Sequence, residues 1–165
     1  MSDKKHIVYL AFGSNLGDRL ANLQQALRSL PPAVEVEVES SVYETPPWGI
    51  LDQPPFYNQV VRAVTELSPH ALLDYLKQIE QRLGRTETIR NGPRTIDIDI
   101  LFYDNLEMDT PLLGLPHPRM EGRAFVWVPL AEIAPNLVHP KLGKTAAQVV
   151  ENLDCSGIFR LAVQA

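Results

Sequence analysis

A chain of 165 residues, 45% apolar and 21% charged, has the size and composition of one globular domain with a sizeable core. A net charge of −5 argues against a general nucleic-acid binder, which needs a basic excess or stripe, but leaves small anionic substrates open through local cationic clusters. The one cysteine, Cys155, excludes an intrachain disulfide, no apolar run approaches a membrane span, and the start resembles no signal peptide; the expectation is a single domain over residues 1–165, cytoplasmic, with neither membrane nor nucleic acid as partner.

In chain order, Ile7 to Phe12 is a short run of strand formers closed by the turn Gly13-Ser14-Asn15. From Leu16, apolar residues recur at Leu20, Leu23, Leu27 and Leu30, one face of an amphipathic helix ended by Pro31-Pro32. Val34, Val36, Val38 and Val42 alternate with Glu35, Glu37, Glu39 and Ser41, which predicts a strand with one wet face. Thr45 to Pro55 is proline-rich and reads as a loop, after which Phe56 to Leu67 returns to strand and carries Asn58. Ser68-Pro69 opens a helix through Leu72, Leu73, Leu76, Ile79 and Leu83, with Gly84 placed to end it.

A loop over 85–93 leads to a strand in which Ile96, Ile98, Ile100 and Phe102 alternate with Thr95, Asp97, Asp99 and Leu101. Beyond it come a proline-rich loop with His117, a helix around Phe125 to Ala134, and a last helix from Lys144 to Leu153. The order β-α-β-β-α-β with C-terminal additions predicts an α+β, ferredoxin-like fold, an antiparallel sheet with helices packed on it. Such a fold hosts many activities, so function must be read from the site.

Period 2 sends Asp97 and Asp99 to one face, their Cα atoms roughly 6.6 Å apart. Two carboxylates at that spacing repel by about 2.5 kcal/mol at an effective dielectric near 20, and folding gains nothing from the arrangement. Solvated surface is the ordinary reading of an Asp-x-Asp on an exposed strand. Aspartate is depleted in strands, however, and this strand is strongly apolar. A hard cation explains the pair: Mg²⁺ takes oxygen ligands and is commonly held by one or two carboxylates plus substrate phosphates. Arg94 just outside the strand, with Arg82, Arg85 and Arg90 upstream, supplies positive charge suited to a polyphosphate.

Other segments carry two readings each. Gly13 to Gly17 follows a strand and opens a helix as phosphate loops do, but matches neither nucleotide-binding glycine motif and is more often only a turn and helix cap. Trp48 and Phe56 either cover the core or wall a pocket in which Asn58 offers a flat heterocycle both a donor and an acceptor. A lone histidine in a proline-rich loop such as His117 is more often structural or exposed than a phosphate donor, and Arg119 and Arg123 close behind it raise the weight of the second reading.

Ala11 to Asp18, Tyr43-Glu44-Thr45-Pro46-Pro47, Phe56-Tyr57-Asn58, Gly92-Pro93-Arg94-Thr95-Ile96-Asp97-Ile98-Asp99-Ile100-Leu101 and Pro116-His117-Pro118-Arg119-Met120 occur in order. Together they resemble the 6-hydroxymethyl-7,8-dihydropterin pyrophosphokinase family of folate biosynthesis over about residues 7–140. The resemblance implies an ATP- and Mg²⁺-dependent transfer of diphosphate from ATP to the hydroxymethyl group of a reduced pterin, with release of AMP. It implies two Mg²⁺ ions on Asp97 and Asp99, and a pterin at Thr45, Pro46, Asn58 and Phe125 with Trp48 and Phe56 as further walls. Arg85, Arg94, His117 and Arg123 would contact ATP phosphates, and Glu80 and Ile100 would lie near the nucleoside. Arg85 and Arg94 join the two aspartates as expected catalytic residues.

Departures from the family pattern fall on loops. Asn91 stands where an aromatic is common, Leu112 where a basic residue is, and Gly114 where a hydroxyl residue is, and the loop 85–92 is about one residue short, so the counterpart of Arg90 stays open. The loops 45–55 and 85–92 are expected to close on ATP and exclude water. Two rivals stay in view: a Mg²⁺-dependent transferase acting on another heterocycle, and a ferredoxin-like module stacking single-stranded RNA on its sheet. The net acidity and the mid-strand carboxylates oppose the second. Protein partners are left open.

Overall fold

The computed structural model describes residues 4–47, 52–84 and 95–161. In chain order the elements are β1 (His6–Ser14), α1 (Arg19–Arg28), β2 (Val34–Glu39), β3 (Tyr43–Thr45), β4 (Phe56–Thr65), α2 (Pro69–Arg82) and β5 (Asp97–Tyr103). They continue with β6 (Met108–Asp109), β7 (Gly114–Leu115), α3 (Ala124–Ile133), β8 (Val138–His139), β9 (Lys144–Thr145), α4 (Ala146–Glu151) and β10 (Phe159–Arg160). The main sheet runs β10-β3-β4-β1-β5, with β2 also paired to β4, and every pairing is antiparallel. With β2 and β3 taken as one interrupted strand, this is the ferredoxin-like arrangement expected from the element order.

Helix α1 begins three residues later than the leucine spacing predicts. Asp18 caps it by accepting from Ala21 N–H at 3.1 Å, and Leu16 stays outside the helix, 38% exposed. A side-chain oxygen that satisfies an orphan N–H of the first turn outweighs one more apolar residue in register.

The strand expected through Val34 to Val42 breaks at Ser40. The Ser40 hydroxyl accepts from Val60 N–H at 2.9 Å while its own N–H donates to Val60 O at 2.8 Å, so a side chain fills a place in the ladder. Strand β5 begins at Asp97, and its alternation ends at a bulge: Tyr9 pairs with Phe102 but Leu10 with Ile100. The unpaired Leu101 therefore joins Phe102 on one face, against the expected alternation.

Two apolar cores cover the two faces of the sheet. Leu10, Phe12, Ile98 and Ile100 pack under α1 and α2 with Leu23, Leu72 and Leu76. Tyr9, Val60, Leu101 and Phe102 pack under α3 and α4 around Trp127, which is fully buried and donates Nε1–H to Met120 O at 2.8 Å. Helix α4 is shorter than expected, because Lys144 and Thr145 form β9 and the Thr145–Gln148 capping box starts the helix after them. Among the described residues no helix is long and apolar enough to cross a membrane.

Candidate active site

The floor of the cleft lies on the α3 face of the sheet, and its lining continues past the edge strand β5 to α2. Gly13 of β1 pairs with Asn58 of β4 on one side and Asp97 of β5 on the other, and Ala11 likewise stands between Val60 and Asp99. Paired residues share a face, so each row across the sheet has the smallest side chains in its middle. Neighbouring strands are about 4.8 Å apart, which separates Asp97 from Asn58 by roughly 10 Å across a floor without bulk. The resulting cavity is about 620 Å³.

Every described residue expected in the site lines this cavity. Thr45, Pro46, Phe56, Asn58, Glu80, Ile100, His117, Arg123 and Phe125 line it with Asp97 and Asp99, and the Arg123 guanidinium stands 5.6 Å from the Phe125 ring centroid. Trp48, Arg85 and Arg94 lie outside the described residues.

Asn58 is buried and donates Nδ2–H to Thr45 Oγ1, which directs its Oδ1 over Gly13. A Cβ at position 13 would stand 2.9 Å from that oxygen. Glycine at this place is therefore what lets the Asn58 acceptor face the cleft. Thr45 lies on β3, whose three residues pair with Phe56 to Asn58.

Glu80, 3% exposed on α2, accepts Ile98 N–H at 2.7 Å. It thereby occupies a donor on the outer edge of β5, and the Leu101 carbonyl on the same edge accepts His117 N–H at 2.9 Å. Burial, then the charges of Arg119 and Arg123, push His117 down to about 4, so its ring is neutral near pH 7. Its Nδ1 accepts Arg119 N–H at 3.2 Å, which fixes the proton on Nε2, and Nε2 faces Asp99 Oδ1 at 3.8 Å. A neutral ring at that place adds no positive charge beside the Asp99 carboxylate. Helix α3 starts at the cleft with no side-chain cap on its N-terminus, and Arg123 is its N-cap residue, so the positive helix end and a guanidinium share one place.

The donor chemistry fits Mg²⁺. Asp97 and Asp99 are hard oxygen ligands on one face, and no third His, Cys, Asp or Glu joins them among the described residues. Such a pair is the form Mg²⁺ takes when substrate phosphates and water fill its other positions. The cationic side chains Lys77, Arg119 and Arg123 also line the cavity, beside the neutral His117.

Sequence reasoning missed Gln59, Leu73, Lys77 and Thr110 and did not assign Arg119, all of which line the cavity. Leu73 and Lys77 precede Glu80 on α2 by about two turns and one, so its helical register was the signal available. The Gly114 departure has a physical partner: a Cβ there would meet Pro118 Cδ at 3.0 Å, so the Pro118 ring takes the space of a side chain at 114. Leu112 is 77% exposed at the rim.

Paired carboxylates on a sheet floor, with cationic, polar and aromatic side chains lining the same cavity, fit one class: a metal-assisted phosphoryl-type transferase on a ferredoxin-like fold. The family model described as 7,8-dihydro-6-hydroxymethylpterin-pyrophosphokinase (HPPK) matches residues 9–135. The 2-amino-4-hydroxy-6-hydroxymethyldihydropteridine pyrophosphokinase of Methylorubrum extorquens is 47% identical over 155 residues, covering 93% of this chain and 97% of that protein. The Bacillus subtilis protein of the same name is 49% identical over 130 residues, 78% of each chain. The chain spans only 23% of the Dictyostelium discoideum folic acid synthesis protein FOL1, to which it is 46% identical over 152 residues. A crystal structure of Plasmodium falciparum HPPK-DHPS with pteroate has a TM-score of 0.77 at 16% identity, covering 97% of this chain and 47% of that one, and supports the fold. The chain belongs to the 7,8-dihydro-6-hydroxymethylpterin-pyrophosphokinase family.

Proposed function

We propose that this chain transfers the β,γ-diphosphate of ATP to the hydroxymethyl group of 6-hydroxymethyl-7,8-dihydropterin, releasing AMP, as a single cytoplasmic domain working on two small soluble substrates. The observation that carries this reading is that one cavity brings Asn58 and the Asp97–Asp99 carboxylates together on either side of the small Gly13 and Ala11, with aromatic and cationic side chains in the same lining. On one side, Asn58 Oδ1 accepts from ring N–H groups, Thr45 fixes the Asn58 amide, and Phe56 and Phe125 supply aromatic faces for a flat heterocycle. On the other, Asp97 and Asp99 face the phosphate-binding cations.

Transfer of this kind needs alignment and neutralisation of charge more than covalent help. Arg123 and the N-terminus of α3 receive phosphate oxygens, His117 offers a neutral Nε2–H beside Asp99, and Arg85 and Arg94 add the charge expected from the sequence. Leu73 and Ile100 offer the nucleoside apolar walls. Mg²⁺, two ions in this reading, held by Asp97 and Asp99, supplies further neutralisation of the phosphates and lowers the pKa of a hydroxyl brought to it. Deprotonation of the hydroxyl needs no dedicated general base beyond help from Asp99.

Release of AMP from Mg²⁺ and ATP, with and without the pterin, tests the reaction. Pterin-dependent AMP without ADP is expected. Mg²⁺-dependent nucleotide binding without AMP would keep the carboxylate site and reject the pterin, favouring a transferase for another heterocycle.

A further inference from the structure

Thr45 and Pro46 stand at the end of β3, a strand of three residues, too short for its pairing with β4 alone to fix its height above the cleft. Two further sets of contacts reach it. The first comes from the C-terminal segment, beyond the residues that the family model matches. Phe159 pairs with Glu44 and Arg160 with Tyr43, and Leu161 N–H donates to Val42 O at 2.9 Å. Gly157, at φ +82°, lies beside Pro46, where a Cβ would make ordinary van der Waals contact with Pro46 Cγ at 3.4 Å.

The second set comes from α3. Glu132 Oε1 accepts Ser41 N–H at 2.9 Å and the Tyr43 hydroxyl at 2.8 Å, and Oε2 accepts the Ser41 hydroxyl at 2.8 Å. Burial raises the Glu132 carboxyl, but these bonds and the Arg160 charge outweigh it and hold the group below the ordinary carboxylate range. Burial, then Glu132, push Tyr43 up to about 12, so its hydroxyl stays a donor. Arg160 thus acts on both members of the hub from the C-terminal strand. Ser41, Tyr43 and Glu132 do not themselves line the cavity, so whatever they do for a ligand acts through others.

We propose that Glu132 and the C-terminal strand are positioning elements of the pterin wall. They tie β3, which carries Thr45, to α3, whose first turn brings Phe125 to the same cleft, and so set the width of the slot open to a flat ring. The inference rests on the reading of this pocket as a pterin site.

Three variants of the full-length chain test it. Glu132→Ala deletes the hub, and Tyr43→Phe removes one hydroxyl from it. Glu132→Gln preserves its geometry, because the amide oxygen accepts from Ser41 N–H and the Tyr43 hydroxyl while the amide N–H donates to the Ser41 oxygen. At saturating Mg-ATP the KM for pterin is expected to rise about tenfold in Glu132→Ala and about threefold in Tyr43→Phe, with kcat and the KM for ATP within about twofold of wild type and Glu132→Gln restored. A lower melting temperature with no split between the two KM values would overturn the positioning role. Amide hydrogen exchange at residues 43–45 gives a readout independent of turnover. Faster exchange in Tyr43→Phe is expected, and unchanged exchange overturns the inference even in an active enzyme. Absence of pterin-dependent AMP from the wild-type chain would instead remove the substrate reading, and the exchange result would then decide the β3 tie alone.

Discussion

Gly13 is the residue on which the floor of the cleft turns. Its neighbours in the sheet are Asn58 and Asp97, and any side chain there would fill the floor between them. Alanine at 13 places a methyl 2.9 Å from Asn58 Oδ1, inside van der Waals contact, and the Asn58 amide must rotate away from Thr45 or the strands must part. The expected outcome of Gly13→Ala is a KM for pterin raised about tenfold, the loss of one hydrogen bond of about 1.4 kcal/mol, while the KM for ATP changes little. Steady-state kinetics with each substrate varied in turn check it, and an equal rise in both KM values would refute the spacer role. Sequence alone reads this glycine as the start of a turn, because a glycine before Ser-Asn carries that signal. It is a strand residue instead, with β1 running on to Ser14. By contrast, Asp97 and Asp99 were legible, because their isolation among isoleucines is a local pattern that needs no knowledge of what lies across the sheet.

Elements show the same contrast between local and distant causes. Helix α2 and strands β4 and β5 follow from their own periodicity, whereas the bulge at Leu101 and the break at Ser40 depend on what the neighbouring strand offers. Strand β10 has two residues and therefore no period to detect. Glu80 illustrates how two elements are joined at the site. A carboxylate this buried is costly unless it is hydrogen-bonded, and here it holds the backbone of β5 against α2 through Ile98 N–H. Glu80→Leu leaves that N–H without its acceptor and is expected to lower stability by about 1–3 kcal/mol, whereas Glu80→Gln keeps an acceptor oxygen and most of the stability. Urea unfolding of the two variants separates these outcomes. Equal loss in both would mean that the charge, rather than the hydrogen bond, secures the α2–β5 contact.

At the scale of the molecule, the two cores lie on opposite faces of one sheet and draw on the same strands, β1, β4 and β5. Neither face can open without exposing the other, so the sheet and the helices on it should unfold as one cooperative unit, with calorimetric and van't Hoff enthalpies that agree. The cleft uses groups from both ends of that unit: β3 and α3 on one side, α2 and β5 on the other. A ligand that bridges them stabilises the native state by RT ln(1 + [L]/Kd), about 2.7 kcal/mol at a hundredfold excess over Kd. For a chain of this length that corresponds to a rise of roughly 5–10 °C in melting temperature. A non-hydrolysable ATP analogue should produce the shift with Mg²⁺ and little of it with EDTA, because without the cation the two carboxylates repel the phosphates they would otherwise help to hold. Asp97→Ala should lose the Mg²⁺-dependent part of the shift and all turnover, yet keep pterin binding in the absence of nucleotide, since Thr45, Asn58 and Phe125 are untouched. Scanning calorimetry on wild type and variant, with each ligand separately, checks all of this. A Mg²⁺-dependent shift that survives in Asp97→Ala would move the metal site away from the β5 carboxylates.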